Sequence, residues 1–370
     1  MGIAVALLTV FFAAAIASTP VESFTCSGTS GTTCNGLVGY VPSNTTTLSN
    51  ITTLFGIQND LRSLLGANNF PLNTSPNQSV SPQQTIRITF PCTCNNGTGY
   101  PVNPPVYTVV SGDTLSHIAE VVFSGLVTYQ QIQVFNNVKD ASMIVPGQEL
   151  KIPLPCSCDE VGGERVVHYG YAVESGNTVQ GIAQEFNTTE ATLLSLNGLN
   201  SPKDLLADVP LDVPLKACTT MVGNNSLDYP LLVANDTYIF TAGNCVMCSC
   251  NAANNWTLQC EPSQAQSTIW TTCPSLQCQG EQSLYIGNTT TSSCNRTTCA
   301  YAGYTNQTIF TTLTSLSTCP VSGSPPPSNN APPAASDGNI NAPKFLLKGW
   351  SWSFILMFIH LVLLYLHLVQ

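Results

Sequence analysis

The chain has 370 residues, enough for two or three domains that each bury a core of their own. Only 8% of the residues are charged, and the net charge of -10 argues against nucleic acid and anionic lipid headgroups as partners and favours a neutral ligand. The 16 cysteines, an even number, indicate an oxidising compartment and a framework of disulfide bonds.

A metal site is the alternative explanation for some of these cysteines, because several are closely spaced. Only two histidines, His117 and His168, lie outside the C-terminal tail, and the chain begins like a secreted protein. We therefore favour disulfides and expect no metal and no cofactor. The closely spaced cysteines are Cys92 and Cys94, Cys156 and Cys158, and Cys245, Cys248 and Cys250.

Residues 1–23 are predicted to be a secretory signal peptide. An apolar run covers residues 3–16, and small residues follow it. Cleavage after Ala17 fits the usual pattern, and cleavage after Ser23 is the second candidate.

One pattern recurs three times between the signal peptide and residue 218. Each copy starts with a short strand and a polar turn, continues with Thr-(Leu/Val)-x-x-Ile and a phenylalanine, and then has a second helical stretch that ends in asparagine. A closing strand and a cysteine follow. Each copy therefore predicts a βααβ unit of about 45 residues, which is small enough to need cross-links. The threonines are Thr47, Thr114 and Thr178, and the asparagines are Asn68, Asn136 and Asn197.

The middle copy predicts its local structure most clearly. Residues 107–110 have strand-forming side chains, and the turn that follows offers Ser111 or Asp113 as a cap for the first helix. An apolar stripe at helical spacing then predicts which side of this helix is buried. The stripe consists of Leu115, Ile118, Ala119 and Val122.

The second half of this copy completes the unit. Thr128 is placed to cap a second helix that buries Ile132 and Phe135. Pro146 and Gly147 then predict a turn into the closing strand.

The remaining ten cysteines, Cys218 to Cys319, predict a separate Cys-rich module over residues 219–319 whose fold the sequence does not identify. Residues 320–343 are rich in Pro, Ser, Asn and Ala and predict an extended stalk.

The C-terminal tail, residues 344–370, contains an apolar run from Trp350 to Val369. A transmembrane helix usually has a basic cytoplasmic flank, which is missing here, whereas small residues, a polar spacer and an apolar tail together make a GPI-attachment signal. We therefore expect a lipid anchor at Ser336, with Gly338 and Asn339 as alternatives, and removal of the tail.

Glycosylation sequons run along the whole chain and fit an extracellular protein. The twelve acceptor asparagines are Asn44, Asn50, Asn73, Asn77, Asn96, Asn187, Asn224, Asn235, Asn255, Asn288, Asn295 and Asn306.

The repeats resemble LysM domains. The middle copy has Tyr107-Thr108-Val109, Ser111-Gly112-Asp113-Thr114-Leu115, Asn136 and Val145-Pro146-Gly147-Gln148, which look like a full LysM consensus. The first copy is degenerate, with Asn44-Thr45-Thr46 at the turn, and the third has Asp208-Val209-Pro210 in place of Pro-Gly. The whole chain resembles plant LysM-domain GPI-anchored proteins.

This resemblance implies an α+β fold with three tandem βααβ LysM units, at residues 24–95, 106–158 and 166–218, cross-linked by disulfides and followed by the Cys-rich module. For the first six cysteines it implies the pairs Cys26–Cys94, Cys34–Cys158 and Cys92–Cys156, whereas the sequence alone leaves the pairing open.

The resemblance also implies a binding groove between two loops of the second unit. Such a groove would offer backbone hydrogen bonds and an apolar patch to an uncharged N-acetylglucosamine polymer. Some of these residues also have purely structural explanations, since Asp113 and Thr114 can cap a helix and Leu115 and Val145 can be core. The groove residues are Ser111, Gly112, Asp113, Thr114, Leu115, Ala141, Ser142, Met143, Ile144, Val145 and Pro146.

By the same resemblance, the protein is expected to be a receptor on the outer face of the plasma membrane that binds chitin or peptidoglycan oligosaccharides in plant innate immunity. A LysM receptor-like kinase would be its signalling partner, and a polymer that bridges two copies would add avidity and allow a homodimer.

Two other functions are weighed against this. An extracellular hydrolase would need paired carboxylates or a catalytic triad, and acidic residues and histidines are sparse, so no enzyme activity is expected. A structural wall glycoprotein would lack saturable binding to chito-oligomers.

Overall fold

The computed structural model describes residues 24–29, 31–58 and 60–317 and has the predicted α+β class. Each repeat consists of two short helices between strands. In the first repeat these elements are β1 (Thr33–Tyr40), β2 (Thr46–Thr47), α1 (Leu48–Leu54), α2 (Leu61–Ala67), β3 (Ser79–Val80), β4 (Ile86–Asn95) and β5 (Thr98–Pro101).

The second and third repeats also place two helices between strands, with different additional elements. The second has β6 (Val106–Thr108), α3 (Leu115–His117) continued by a π-helical turn (Ile118–Val122), α4 (Tyr129–Phe135) and β7 (Glu149–Lys151). The third has β8 (Glu160–Val161), β9 (Glu164–Ala172), α5 (Val179–Glu185), α6 (Glu190–Leu196), a 3-10 turn (Pro202–Asp204) and β10 (Pro210–Lys216). The domain boundaries given above stay predictions.

A threonine begins the first helix of every repeat. The side chains of Thr47, Thr114 and Thr178 each accept a hydrogen bond from the backbone N–H three residues later, which satisfies one of the donors that a helix leaves free at its start. The expectation that Ser111 or Asp113 caps the helix of the second repeat is therefore wrong. In the second helix, Thr128 caps α4 as predicted, in a reciprocal capping box with Gln131.

The recurring asparagine joins the second helix to the closing strand. The Asn136 side chain donates to the carbonyl oxygens of Ile132 at 2.9 Å and Lys151 at 2.7 Å, and it accepts from the Lys151 N–H at 2.8 Å. Asn68 and Asn197 form the same three bonds in their repeats. Three equivalent clamps show that the repeats share one local architecture.

The apolar stripe of the second repeat faces the core as predicted. Leu115, Ile118 and Ala119 are at most 1% exposed, and Ile132 on α4 is fully buried. Phe135 is only half-buried and its ring lies 5.6 Å from that of Tyr100, so the prediction of a buried Phe135 holds only in part.

Strands of the first and third repeats form one sheet, in the order β10-β9-β1-β4-β5. β1 and β4 pair antiparallel within the first repeat, and β1 also pairs with β9 in parallel at Leu37–Tyr169 and Val38–Gly170. The β6–β7 pair of the second repeat is a separate sheet. The first and third repeats therefore pack against each other and are not independent domains.

Disulfides attach the second repeat to the first. The pairs are those implied by the resemblance: Cys26–Cys94 closes the first repeat, and Cys34–Cys158 and Cys92–Cys156 link it to the end of the second. Sulfur atoms from different pairs lie close together, in two groups of three, and every member of these groups is disulfide-bonded.

The third repeat differs from the expectation that cysteines staple all three units. Its cysteine, Cys218, bonds to Cys250 in the Cys-rich module, so β-sheet pairing and packing hold this repeat against the first. The module contains three further described disulfides, and among the described residues no cysteine is free. These bonds are Cys245–Cys273, Cys248–Cys260 and Cys278–Cys299.

A buried ion pair lies inside the third repeat. The Nδ1 atom of His168, which is 1% exposed, lies 2.8 Å from a carboxylate oxygen of Asp212, and its Nε2 atom lies 2.8 Å from the backbone carbonyl of Asp159. Both ring nitrogens face oxygen atoms, so a proton lies between Nδ1 and the Asp212 carboxyl group, whose own pKa is raised by burial, while Nε2 donates to Asp159. Burial lowers the pKa of His168, but the hydrogen bonds to Asp212 and Asp159 outweigh burial and raise it above the usual value.

The Cys-rich module is built from hairpins around its own cystine-rich core. It packs on helix α2 of the first repeat, where the Tyr238 hydroxyl donates to the Phe70 carbonyl at 2.6 Å. Gly66 allows this contact, since a Cβ there would overlap the Tyr238 carbonyl oxygen. The strands are β11 (Thr237–Thr241), β12 (Val246–Cys250), β13 (Gln259–Pro262), β14 (Gln277–Cys278), β15 (Glu281–Tyr285), β16 (Thr289–Ser292), β17 (Asn295–Tyr304) and β18 (Ile309–Ser317).

Candidate functional site

The two predicted groove segments of the second repeat lie side by side. The Val109 N–H donates to the Gln148 carbonyl and the Gly147 N–H donates to the Val109 carbonyl, both at 2.8 Å. Gly147 has φ +86°, so this turn needs a residue that tolerates the left-handed region. We call residues 110–114 together with residues 141–146 the loop pair.

Asp113 shapes the loop pair from inside. Its side chain is 4% exposed and accepts from the Val110 N–H at 2.8 Å and from the Tyr107 hydroxyl at 2.9 Å. Burial and the Asp113 carboxylate raise the pKa of Tyr107 to about 12. One carboxylate oxygen, Oδ2, accepts both bonds, so Asp113 positions the loop, and its charge is largely withdrawn from solvent.

The second segment is also held by its own polar side chains. Asp140 accepts from the Ser142 N–H at 2.9 Å and from the Ser142 hydroxyl at 2.7 Å, and these bonds hold the pKa of Asp140 below its usual value. Gln148 accepts from the Val145 N–H at 3.1 Å. A fixed backbone of this kind loses little conformational entropy when a ligand binds.

The surface of the loop pair is apolar. Val110, Met143 and Val145 are 56%, 72% and 59% exposed, although each is a large hydrophobic residue. Among the other predicted residues, Ser111, Gly112, Thr114, Ser142 and Pro146 are exposed and uncharged.

Three predicted groove residues contribute mainly to packing. Leu115 is 1% exposed, so its side chain belongs to the core and is withdrawn from any ligand. Ala141 and Ile144 are half-buried and pack against the same core. Val145, for which a core position was the alternative, is exposed instead.

The third repeat has an equivalent loop pair with a different surface. Asn177 occupies the position that Asp113 has in the second repeat. Its side chain accepts from the Glu174 N–H at 2.9 Å and from the Tyr171 hydroxyl at 2.8 Å. Asp208, at φ +60°, donates its N–H to the Val173 carbonyl and so replaces the missing Pro-Gly turn. Leu206 is 59% exposed. The charged Glu174 precedes the loop where the second repeat has Val110, which leaves a smaller apolar surface.

The corresponding loops of the first repeat carry glycosylation sequons. Asn44 lies in the first loop, and Asn73 and Asn77 lie in the second, and all three side chains are exposed. The start of helix α1 holds the second loop, because the Ser49 N–H donates to the Pro76 carbonyl at 2.7 Å. No sequon falls between Asn96 and Asn187, the stretch that contains the second repeat.

Comparison with known proteins places these observations in a family. The LysM domain model matches residues 107–153 and 171–214. The chain is 49% identical over 306 residues to LysM domain-containing GPI-anchored protein 2 of Arabidopsis thaliana, covering 82% of this chain and 84% of that protein. The chain belongs to the family of LysM domain-containing GPI-anchored proteins.

Two further similarities are found. The chain is 38% identical over 344 residues to the chitin elicitor-binding protein of rice, Oryza sativa subsp. japonica, covering 92% of this chain and 90% of that protein. A solved ectodomain of a receptor like kinase matches with a TM-score of 0.42 at 20% identity, over 51% of this chain and 94% of that chain.

Several predictions for this LysM protein fall outside the described residues. They are the signal peptide at residues 1–23, the stalk, the attachment residue Ser336 with its alternatives, and the apolar tail. Within the described part, no helix is both long and apolar enough to cross a membrane. Eleven of the twelve sequon asparagines are exposed, and Asn235 is half-buried.

The predicted groove residues leave out one exposed apolar neighbour. Val110 directly precedes the predicted groove, yet its side chain is among the most exposed apolar groups of the loop pair. The signal was present in the sequence, because Val110 follows the buried Val109 and successive strand residues point to opposite faces.

Proposed function

We propose that this protein is a cell-surface receptor that binds uncharged N-acetylglucosamine polymers, chitin or peptidoglycan, through the loop pair of its second LysM domain. The observation that carries the proposal is the exposed set of Val110, Met143 and Val145 on a backbone that hydrogen bonds already hold in place. An acetamide methyl group can pack on such a surface, while its N–H and C=O meet exposed backbone groups.

Glycosylation supports the choice of the second domain. The loops of the first domain carry Asn44, Asn73 and Asn77, whose glycans would cover that surface, and the third domain has Glu174 in place of Val110. The second loop pair has a larger apolar surface than the third and, unlike the first, carries no sequon. The name of the rice relative, a chitin elicitor-binding protein, agrees with this ligand class.

Membership of the family supports a proposal for the location and the partner. We propose that the protein is attached by a GPI lipid to the outer face of the plasma membrane, where it would act in innate immunity with a LysM receptor kinase. Co-precipitation of a receptor kinase after addition of chito-octaose supports this arrangement. A response to the glycan that is unchanged in plants lacking the protein contradicts the signalling role.

The binding proposal is tested with the secreted protein, chito-hexaose and soluble peptidoglycan fragments. Val145→Glu places a charge in the apolar surface and is expected to weaken binding at least about tenfold, because a carboxylate must then be desolvated against the ligand. Val134→Glu is the matched control, since Val134 is 72% exposed on α4 and lies outside the loop pair. Equal binding by both variants contradicts the assignment of the site.

The same titrations distinguish the two ligands and test for an enzyme. Saturable binding to one glycan and not the other identifies the ligand. The length of the recovered hexaose is measured after prolonged incubation, and shortened products revive the hydrolase alternative.

A further inference from the structure

A cavity lies between the first and third LysM domains, away from the loop pair, and Asp236 of the Cys-rich module also lines it. Its volume is about 270 Å³, near the lower end of the range for small-molecule sites. Its lining includes three aromatic rings and three charged side chains, and residues of the second domain do not contribute to it. We call it the inter-repeat pocket, lined by Arg87, Tyr169, Tyr171, Glu185, Phe186 and Asp236.

The aromatic rings form a compact cluster. The ring centroids of Tyr169 and Tyr171 each lie 5.5 Å from that of Phe186. Tyr169 is 2% exposed and anchored in the core of the third domain, whereas Tyr171 and Phe186 are half-buried and present part of their rings. Partly exposed rings in a concave site offer flat apolar faces to a ligand.

The pocket is lined by positively and negatively charged side chains. The guanidinium carbon of Arg87 lies 5.8 Å from the centre of the Tyr169 ring, and no carboxylate of the described residues lies within 4.0 Å of this guanidinium. Glu185 and Asp236 are exposed. The Arg87 guanidinium also interacts with the Tyr169 hydroxyl, and its other N–H groups act as donors in the pocket beside the acceptors of the two carboxylates.

A neutral ligand with hydroxyl groups fits this combination of donors and acceptors. The charges in the lining partly offset one another, because an anion is attracted by Arg87 and repelled by Glu185 and Asp236, and a cation experiences the reverse. A pyranose ring has an apolar C–H face that can stack on tyrosine or phenylalanine, and its hydroxyl groups both donate and accept hydrogen bonds. The volume admits a single ring of this size.

We propose that the inter-repeat pocket is a second carbohydrate-binding site, which takes one neutral pyranose unit against Tyr171 and Phe186. Arg87 donates to its hydroxyl oxygens and Glu185 accepts from its hydroxyl groups. Because the pocket and the loop pair have no lining residue in common, a polysaccharide or two separate glycans can occupy both. Two weak sites on one chain raise the overall affinity for a multivalent glycan.

The test uses the full secreted chain with ¹³C-labelled tyrosine rings and two probes, the methyl β-glycosides of N-acetylglucosamine and of glucose. Tyr171→Phe identifies the ring signals of Tyr171. Saturable shifts of the Tyr169 and Tyr171 signals with either probe are expected. Shifts that rise linearly without saturation, or no shifts, overturn the proposal.

Two exposed threonines provide the variant and its control. Thr85 lines the pocket and is exposed, so Thr85→Trp is expected to fill the pocket and weaken probe binding at least about tenfold. Thr291→Trp makes the same change on the exposed strand β16 and is expected to bind as the wild type does. Undiminished shifts in Thr85→Trp overturn the proposal.

A variant of the loop pair distinguishes binding in the inter-repeat pocket from binding at the loop pair. Val145→Glu removes the apolar surface of the loop pair and is expected to leave the tyrosine shifts in place. Near-ultraviolet circular dichroism shows whether each variant is folded, whatever the outcome with chito-hexaose. Tyrosine shifts that disappear in Val145→Glu assign the probe to the loop pair and overturn the inter-repeat pocket.

Discussion

Gly66 is predicted to control how the Cys-rich module packs on the first LysM domain. It lies in helix α2, and a Cβ at this position would overlap the Tyr238 carbonyl oxygen and lie 3.1 Å from the carbonyl carbon. Both atoms belong to the backbone of the module, so the module must move away to admit even a methyl group. Gly66→Ala is therefore expected to loosen this contact.

The size of the effect follows from two opposing contributions. Alanine in a helix is more favourable than glycine by about 1 kcal/mol. Overpacking costs about 1–3 kcal/mol, and the cost is near the upper end of this range when the backbone must shift. We expect a net loss of about 1–2 kcal/mol in the free energy of unfolding. Gly181→Ala in α5 is the matched control, because the nearest atom to its Cβ is the Thr178 hydroxyl oxygen at 3.1 Å. It is expected to be neutral or to stabilise by up to about 1 kcal/mol.

Urea unfolding of both variants, with disulfides intact, measures the difference. Hydrogen exchange shows which elements are destabilised. Faster exchange in β11 and α2 is expected for Gly66→Ala alone, since these are the elements in contact. A Gly66→Ala protein that is as stable as Gly181→Ala, with unchanged exchange in β11, refutes the reasoning.

Two other predictions concern the polar interior. The pKa of His168 is raised in the folded protein, so protonated His168 stabilises the fold fully below the ordinary histidine pKa of about 6.5. This stabilisation is lost as the pH rises through the higher folded pKa. The urea midpoint should therefore decrease over the pH range between these two pKa values. Asp212→Asn should flatten this dependence, and an unchanged slope would contradict the ion pair. Asn136→Ala removes three hydrogen bonds and should cost about 2 kcal/mol, measured by urea unfolding. Val134→Ala changes a side chain that is 72% exposed on the same helix and should cost less than about 0.5 kcal/mol, and equal losses would count against the clamp.

The local structure of the repeats could be predicted because its causes are local. The apolar stripe from Leu115 to Ala119, the cap at Thr128 and the turn at Gly147 all depend on residues a few positions apart. The first helix was harder, since several polar residues precede it and only geometry decides that Thr114 caps while Asp113 binds Tyr107.

The arrangement of the repeats could not be predicted because it depends on distant contacts. Nothing in β1 indicates that Leu37 pairs with Tyr169 of the third repeat, or that Tyr238 of the module reaches Phe70. The loop pair was largely accessible from the family resemblance, although burial separates exposed Val145 from buried Leu115 only in the structure. The inter-repeat pocket depends on the same distant contacts and had no sequence signal.

The order of the cysteines has a consequence for synthesis. Cys26 and Cys34 emerge first during translation, yet their partners are Cys94 and Cys158, and the bond of Cys34 spans 124 residues. Neighbours that emerge together, such as Cys92 and Cys94, belong to different bonds. Pairing in order of appearance therefore gives the wrong bonds, and thiol–disulfide exchange must correct them. Yield from a secreting host should accordingly depend on its disulfide isomerase, and the second LysM domain can be locked in place only after residue 158 has entered the oxidising compartment.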